Sequence, residues 1–423
     1  MNPKIALIGL GYVGLPLARL FAMRYPTVGF DLNRERVKML MSGHDDTLEV
    51  EDNLLQQALK EGLYCTCNID DLLDCNVFIV AVPTPIDQNN RPDLKPLQQA
   101  SEMVGKVIPK DGIVIYESTV YPGVTEEFCV PIVEKVSGLA YNKDFFVGYS
   151  PERVNPGDKE HTIEKIKKVT SGSTPEISDF VDNLYNSVLL NGTFKASSIK
   201  VAEAAKIIEN AQRDVNIAFM NELAKIFNAM GIDTHEVIEA AATKWNFIKF
   251  TPGLVGGHCI GVDPYYLIEK ALYYGVMPRV MSAARSLNDG MGEYVANEVI
   301  KLMSKKGILV KNAHILILGI TFKENCADIR NTRVVDIYNI LKDYTPNIII
   351  FDPLANAKEL EEEFQISIET ENIDRFKHQF DAVILAVAHN EFIPLELRQF
   401  GKANCVVYDV KGVAERGQVD GRL

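Results

Sequence analysis

The sequence predicts an α/β protein, with two open, parallel-sheet domains joined by a long central helix, on three observations. Short apolar runs alternate with helical periods through the first half of the chain, as strand–helix–strand units of a parallel sheet do. One helical period then runs from Ser198 to Met230. Val201, Ala205, Ile208, Val215, Phe219, Leu223, Ile226 and Met230 recur in it at helical spacing until Gly231 stops it. After Lys311 the strand and helix alternation returns.

Taken in order, Lys4–Ile8, Thr27–Phe30, Val77–Val82, Ile113–Tyr116, Phe145–Tyr149 and Lys168–Ser171 read as buried strands of the first sheet. The long helix follows. A second helical stretch spans Ala283 to Lys305 with Gly307 as its stop, and a loop rich in Gly and Pro separates the two. His314–Leu318, Asn347–Phe351, Ala382–Val387 and Cys405–Asp409 read as strands of a second sheet. This divides the chain into 1–197, 198–306 and 307–423, with the middle part as a spine that is expected to carry a homodimer interface. Ligands of such sheets bind at the carboxyl ends of the strands, so the active site is expected between the domains.

Composition narrows the function. In 423 residues, 57 Asp+Glu against 44 Lys+Arg leave a formal charge of −13, which argues against nucleic acid or an anionic membrane as partner. An anionic ligand must then find a local basic pocket. The seven cysteines are an odd count without a CxxC pair, which fits a reducing cytoplasm better than a disulfide framework or a zinc site. The apolar start, Met1 to Phe21, is broken by Gly9, Gly11, Gly14 and Arg19, so it reads as structure and not as a secretory signal. Elsewhere no apolar run is long enough for a membrane span, and a cytoplasmic protein is expected.

The strongest motif opens the chain. Lys4-Ile-Ala-Leu-Ile-Gly9-Leu-Gly11-Tyr12-Val13-Gly14 is a strand running into G-x-G-x-x-G, with a helical pattern from Tyr12 to Met23 behind it. Gly9 permits a tight turn, Gly11 lets a pyrophosphate approach the backbone, and Gly14 lets helix and strand pack closely, which makes the domain Rossmann-like. Asp31 closes the strand Thr-Val-Gly-Phe, where a carboxylate bonds a ribose 2′-OH and repels the extra phosphate of NADP. NAD is therefore the expected cofactor, although Arg34 and Arg36 beside the site are able to accept a phosphate.

Other segments stay ambiguous on residues alone. Pro83-Thr84-Pro85 and Glu117-Ser118-Thr119 end strands and serve equally as turns or as binding loops. Ser150-Pro151-Glu152-Arg153 reads by default as a surface Glu–Arg pair, and Lys206 with Asn210, beside Glu203, as a solvated helix face. Pro252-Gly253-Leu-Val-Gly256-Gly257-His258-Cys259-Ile-Gly261-Val-Asp263-Pro264 says more, because glycines around one thiol shape a backbone to expose it, whereas an inert Cys sits in an apolar strand or helix. His258 has no spaced partner set, so no metal is expected. Lys323, Arg330 and Arg333, with Asp328, follow a strand and are either the anion site or surface ion pairs.

In this order, over nearly the whole chain, these segments resemble the UDP-glucose/GDP-mannose dehydrogenase family of four-electron nucleotide-sugar oxidoreductases. The resemblance implies two Rossmann-like domains joined by a long central helix. UDP-glucose enzymes carry Pro-Lys where Gly261-Val262 stand here, and Gly-Gly-His-Cys-Ile-Gly-Val-Asp-Pro, with Thr243-Lys244-Trp245-Asn246-Phe247 before it, is similar to the UDP-N-acetylhexosamine 6-dehydrogenases of Vi-type capsule and O-antigen synthesis. A UDP-GlcNAc or UDP-GalNAc substrate is implied, with UDP-ManNAc open. It further implies that Cys259 holds the aldehyde as a thiohemiacetal and then a thioester, that Lys206 and Asn210 bind the C6 oxygen, and that Glu152, Thr119 and Asp263 handle water and protons. Gly9, Gly11, Tyr12, Val13, Gly14, Asp31, Arg36, Thr84 and Thr119 would hold NAD. Arg153, Lys206, Asn210, Gly256, Lys323 and Arg330 would hold the UDP-sugar. The competing expectations are a one-step hydroxyacid-type dehydrogenase and a non-catalytic nucleotide sensor, neither of which needs the thiol.

Overall fold

The computed structural model describes residues 2–47, 49–87, 89–154 and 162–423, and the chain forms two compact units. The first comprises residues 1–209 and 265–276, the second residues 210–264 and 277–423.

The first unit holds β1 (Ile5–Ile8), β2 (Thr27–Phe30), β3 (Leu63–Thr66), β4 (Val77–Val80), β5 (Gly112–Tyr116), β6 (Phe145–Tyr149), β7 (Lys168–Gly172) and β8 (Thr193–Lys195) in one sheet of order β3-β2-β1-β4-β5-β6-β7-β8. All neighbours are parallel except β6 and β7, which pair antiparallel through Gly148 and Gly172, so the fully parallel sheet expected from the alternation is corrected there. Side chains alternate between two cores, Ile5 and Leu7 with Leu17 and Phe21 on one face, Ala6 and Ile8 with Phe78 and Val104 on the other. A strand buried on both faces reads as an unbroken apolar run, which is why β1 and β4 are evident in the sequence. β2 lies on one side of β1 and β4 on the other, so the chain reverses direction across the sheet at β1 and opens a crevice at its carboxyl end.

The second unit has a five-stranded parallel sheet of β9 (Ile315–Leu318), β10 (Ile348–Phe351), β11 (Phe380–Leu385), β12 (Gly401–Asp409) and β13 (Gly421–Arg422), in the order β10-β9-β11-β12-β13. The same reversal recurs at β9. Ile315 and Ile317 pack under the helices Met291–Lys305 and Val334–Lys342, and Leu316 and Leu318 pack with Phe351, Phe376, Phe380 and Phe392.

The long helix runs from Ile199 to Met230, one residue inside the expected start, and the chain passes from the first unit to the second between Glu209 and Asn210 within it. The Gly- and Pro-rich connection is more ordered than expected. It contains the helices Thr234–Ala242, N-capped by the Asp233 carboxylate, and Asp263–Tyr273. The stretch Ala283–Lys305 is two helices, Arg279–Asp289 and Met291–Lys305, broken at Gly290. Among the described residues no helix is long and apolar enough to cross a membrane.

Candidate active site

In the first unit the carboxyl ends of β1, β2, β4, β5 and β6 share one edge of the sheet. Gly9 turns the chain there with φ +91°, and a Cβ on it would lie 2.7 Å from the Ala81 carbonyl oxygen. A Cβ on Gly14 would collide with the Gly9 carbonyl. At Gly11 a Cβ would meet nothing of the protein within 4 Å, so its missing side chain leaves room for a ligand at the start of the helix Gly14–Ala22. That is the cradle a dinucleotide pyrophosphate needs, and the residues fit NAD. Tyr12 and Val13, half-buried, form the turn between.

Asp31 stands just past β2, its Oδ2 accepting the Leu10 N–H at 2.9 Å and its Oδ1 the Asn33 N–H at 2.8 Å. Arg36 is buried. Its guanidinium donates to the Leu10 carbonyl at 2.9 and 3.1 Å and pairs with Asp45 at 2.6 Å and with Asp46. Two carboxylates already meet its charge, so it braces the glycine turn. Thr84 follows β4 and Thr119 follows β5, both half-buried, and the Ser118 hydroxyl between them donates to the Val82 carbonyl at 2.6 Å, stitching the two strand ends together.

After β6, Glu152 does not make the expected pair with Arg153. Its Oε1 accepts the N–H groups of Arg153 at 2.6 Å and Val154 at 2.5 Å, while the Arg153 guanidinium reaches Glu209 at 2.9 Å and the Lys167 carbonyl at 2.6 Å. The long helix corrects a second expectation. Glu203, Lys206 and Asn210 are 0, 7 and 8% exposed, so this is a buried polar face and not a solvated one. The Glu203 carboxylate accepts the Gly123 N–H at 2.5 Å and the Thr125 N–H at 2.9 Å, anchoring the segment after Thr119. Burial pushes the Glu203 carboxyl up to about 7 against those two bonds.

In the second unit Asn210 Nδ2 donates to Asp263 Oδ2 at 2.5 Å. Asp263 begins the helix Asp263–Tyr273, and its N–H donates to the Cys259 carbonyl at 2.8 Å. The thiol, half-buried, therefore sits at the mouth of a helix whose first carboxylate is bound to the long helix. The glycines let the loop press on its neighbours. A Cβ on Gly256 would lie 2.7 Å from the Asn331 carbonyl, and one on Gly257 (φ +76°) would lie 2.8 Å from the Phe322 ring. His258 stands 3.9 Å from Asp328, which forks onto Arg330 at 3.0 and 2.5 Å. Arg330 is thus paired as the surface reading has it, but within this cluster. Among the described residues no cluster of His, Cys, Asp or Glu is arranged to hold a metal.

At the carboxyl end of β9, Leu254, Phe322, Lys323, Thr332, Arg333 and Lys411 line one cleft. Lys411, 3.0 Å from Glu324, is absent from the sequence reading, although its place just past β12 in Asp409-Val-Lys411-Gly412 was the available signal. So is His389, fully buried, which accepts the Asn325 N–H at 2.9 Å and bonds Asp352 at 3.1 Å, holding the loop that carries Lys323.

Comparison with known proteins finds three matches along the chain, all to the UDP-glucose/GDP-mannose dehydrogenase family: its NAD binding domain over residues 3–189, its central domain over 200–290 and its UDP binding domain over 316–416. The chain is 56% identical to a UDP-N-acetyl-D-glucosamine 6-dehydrogenase of Pseudomonas aeruginosa over 99% of both chains. It is 52% identical to one of Salmonella typhi, over 99% of this chain and 98% of the other. Among solved structures, a UDP-D-ManNAc dehydrogenase of Pyrococcus horikoshii superposes with a TM-score of 0.89 at 30% identity, covering 99% of this chain and 98% of that one.

Proposed function

The chain belongs to the UDP-glucose/GDP-mannose dehydrogenase family, and from that premise we propose that it oxidises C6 of a UDP-N-acetylhexosamine, UDP-GlcNAc first, to the uronic acid in two NAD-dependent steps that supply surface polysaccharide synthesis. The observation that carries the chemistry is Cys259, on a glycine-shaped loop whose carbonyl caps the helix begun by Asp263, itself bonded to Asn210.

NAD, when bound, accepts a hydride from C6 in each of two rounds. Gly9, Gly11, Tyr12, Val13 and Gly14 hold its pyrophosphate, Asp31 its ribose, and Thr84 and Thr119 the nicotinamide end. Arg36, already paired with Asp45 and Asp46, offers no open phosphate site, which favours NAD over NADP. Lys206 and Asn210 bind the C6 oxygen as charge develops on it. The Cys259 sulfur adds to the aldehyde carbon, keeping it bound while the cofactor exchanges, and the second oxidation leaves a thioester. Glu152 takes a proton from the water that releases the acid, with Thr119 and Asp263 orienting water and substrate. Lys323 and Arg330, with Arg153 and Gly256, hold the UDP-sugar. The division 1–197, 198–306 and 307–423 assigns these tasks to a cofactor domain, a spine and a UDP-sugar domain. We also propose a cytoplasmic homodimer, its interface formed by the exposed apolar stripe of the long helix.

A panel of UDP-sugars with absorbance readout of NADH tests the reading. The expected result is two NADH per uronic acid, with UDP-GlcNAc or UDP-GalNAc ahead of UDP-glucose in kcat/KM. UDP-glucose as the better substrate overturns the branch, and one NADH per product overturns the covalent route.

A further inference from the structure

Behind Glu152 lies a buried charge cluster that takes no part in hydride transfer or thioester chemistry. Lys168, at the start of β7, is fully buried, and its ammonium donates to Glu117 Oε2 at 2.5 Å and to the Pro151 carbonyl at 3.0 Å. Glu117, at the end of β5, is equally buried, and its other oxygen accepts the Tyr185 hydroxyl from the helix Pro175–Asn186. Glu152 Oε2 is 3.9 Å from the same ammonium, beyond hydrogen-bond reach, and has no hydrogen-bond partner among the described residues. Among the described residues, two titratable groups beside the cluster have partners outside it. Arg153 pairs with Glu209, and the Tyr149 hydroxyl of β6 donates to the Ser118 carbonyl.

The arithmetic is two carboxylates for one cation. A lysine committed to Glu152 alone would pair it fully and blunt it as a base. Lys168 is not so committed, standing 2.5 Å from Glu117 and 3.9 Å from Glu152. Lys168 spends one N–H on the peptide immediately before Glu152, which fixes that backbone, and its closest contact on Glu117. We propose that Glu117 and Lys168 are positioning residues for Glu152: the buried ammonium holds the Ser150–Arg153 turn through the Pro151 carbonyl and stands between two carboxylates, which leaves Glu152 Oε2 incompletely paired. Burial pushes the Glu117 carboxyl up to about 7, with Lys168 pulling it down and Glu152 pushing it up, so this group is poised near neutrality.

The inference rests on the reading of Glu152 as the base in thioester release. In that step the water oxygen bonds to the thioester carbon, one water proton passes to Glu152, and the carbon–sulfur bond breaks with its electron pair leaving on the Cys259 sulfur. The readout is the decay of the UDP-uronyl adduct on Cys259, followed by rapid quench and intact-protein mass spectrometry from about pH 5.5 to about 9. Glu117→Gln leaves the whole Lys168 charge to Glu152, so the acid limb of the decay rate should move down by about one pH unit. Lys168→Met removes the charge, so the limb should move up by about as much, and Lys168→Arg should restore it. If Lys168→Met does not fold, Glu117→Gln, which keeps an acceptor for Lys168, decides alone.

Glu152→Gln separates the two readings. It should abolish the limb and let the adduct accumulate. A limb that survives in Glu152→Gln overturns Glu152 as the base and this inference with it. A limb lost there but unmoved in Glu117→Gln and Lys168→Met overturns only the inference, and returns the pair to a structural ion pair.

Discussion

Cys259 is positioned by hydrogen bonds to its backbone. Its carbonyl accepts from the Val262 and Asp263 N–H groups at 3.1 and 2.8 Å, so the residue is fixed at a helix entrance while its side chain stays partly open. Cys259→Ala should stop acid formation while NAD and UDP-sugar still bind, measured by turnover and by titration of each ligand. Cys259→Ser is sharper, because an oxygen ester hydrolyses more slowly than a thioester, and mass spectrometry should show a UDP-uronyl adduct on residue 259. Near-normal uronate production by the alanine variant would reassign the thiol to packing. The thiol, Asp263 and the glycine fingerprint were legible because each motif is contiguous. Glu203 with Gly123, and Lys168 with Glu117, were not, since 80 and 51 residues separate the partners. A local reading of charged residues on a helix defaults to solvent, as it wrongly did for Lys206 and Asn210.

At the scale of elements, legibility followed burial. β1, β2, β4 and β6 were evident as apolar runs, whereas β3 (Leu-Tyr-Cys-Thr, with Tyr64 48% exposed), the largely exposed β8 and the two-residue β13 lie at sheet edges, where only a few positions need be apolar. The helices hidden in the glycine-rich connection were missed for another reason: side chains of distant helices shape that segment. Asn221 of the long helix clamps Gly253, accepting its N–H at 2.8 Å and donating to its carbonyl at 3.0 Å and to Asn288 Oδ1 at 2.8 Å. Asn288 in turn donates to Asp214, which pairs with the buried Arg285 at 2.5 Å. Asn221→Leu fills similar volume but leaves the Gly253 peptide unpaired, at a cost of about 3 kcal/mol. The expected outcome is a lower Tm with a changed rate of Cys259 alkylation by iodoacetamide, since the clamp starts the loop that ends at the thiol. An unchanged alkylation rate would confine the clamp to stability.

For the whole molecule, the acidic composition and the exposed apolar surface point to a partner of one kind. Val201, Ile208, Phe219, Ile226 and Met230 of the long helix are 47 to 63% exposed, at successive intervals of 7, 11, 7 and 4 residues. At about 100° per residue these five side chains fall within a stripe about 40° wide along one face. Such a stripe, on a helix whose Ala202, Ile207, Ala211, Ala218 and Met220 are buried on other faces, is a surface awaiting cover, and a second copy of the helix, related by twofold symmetry, presents the same stripe back to it. A net charge of −13 disfavours an anionic membrane or nucleic acid as that cover. Phe219→Glu places a carboxylate in the middle of the stripe and, across a twofold axis, near its own copy. Sedimentation equilibrium should show the dimer Kd raised by about 30-fold, the loss expected for one central aromatic anchor of about 2 kcal/mol. NAD binding should be retained, because the glycine cradle and Asp31 lie in the first unit and Phe219 in the second. A wild-type chain that sediments as a monomer, or a variant as dimeric as the wild type, would remove the long helix from the interface and leave its stripe without an occupant.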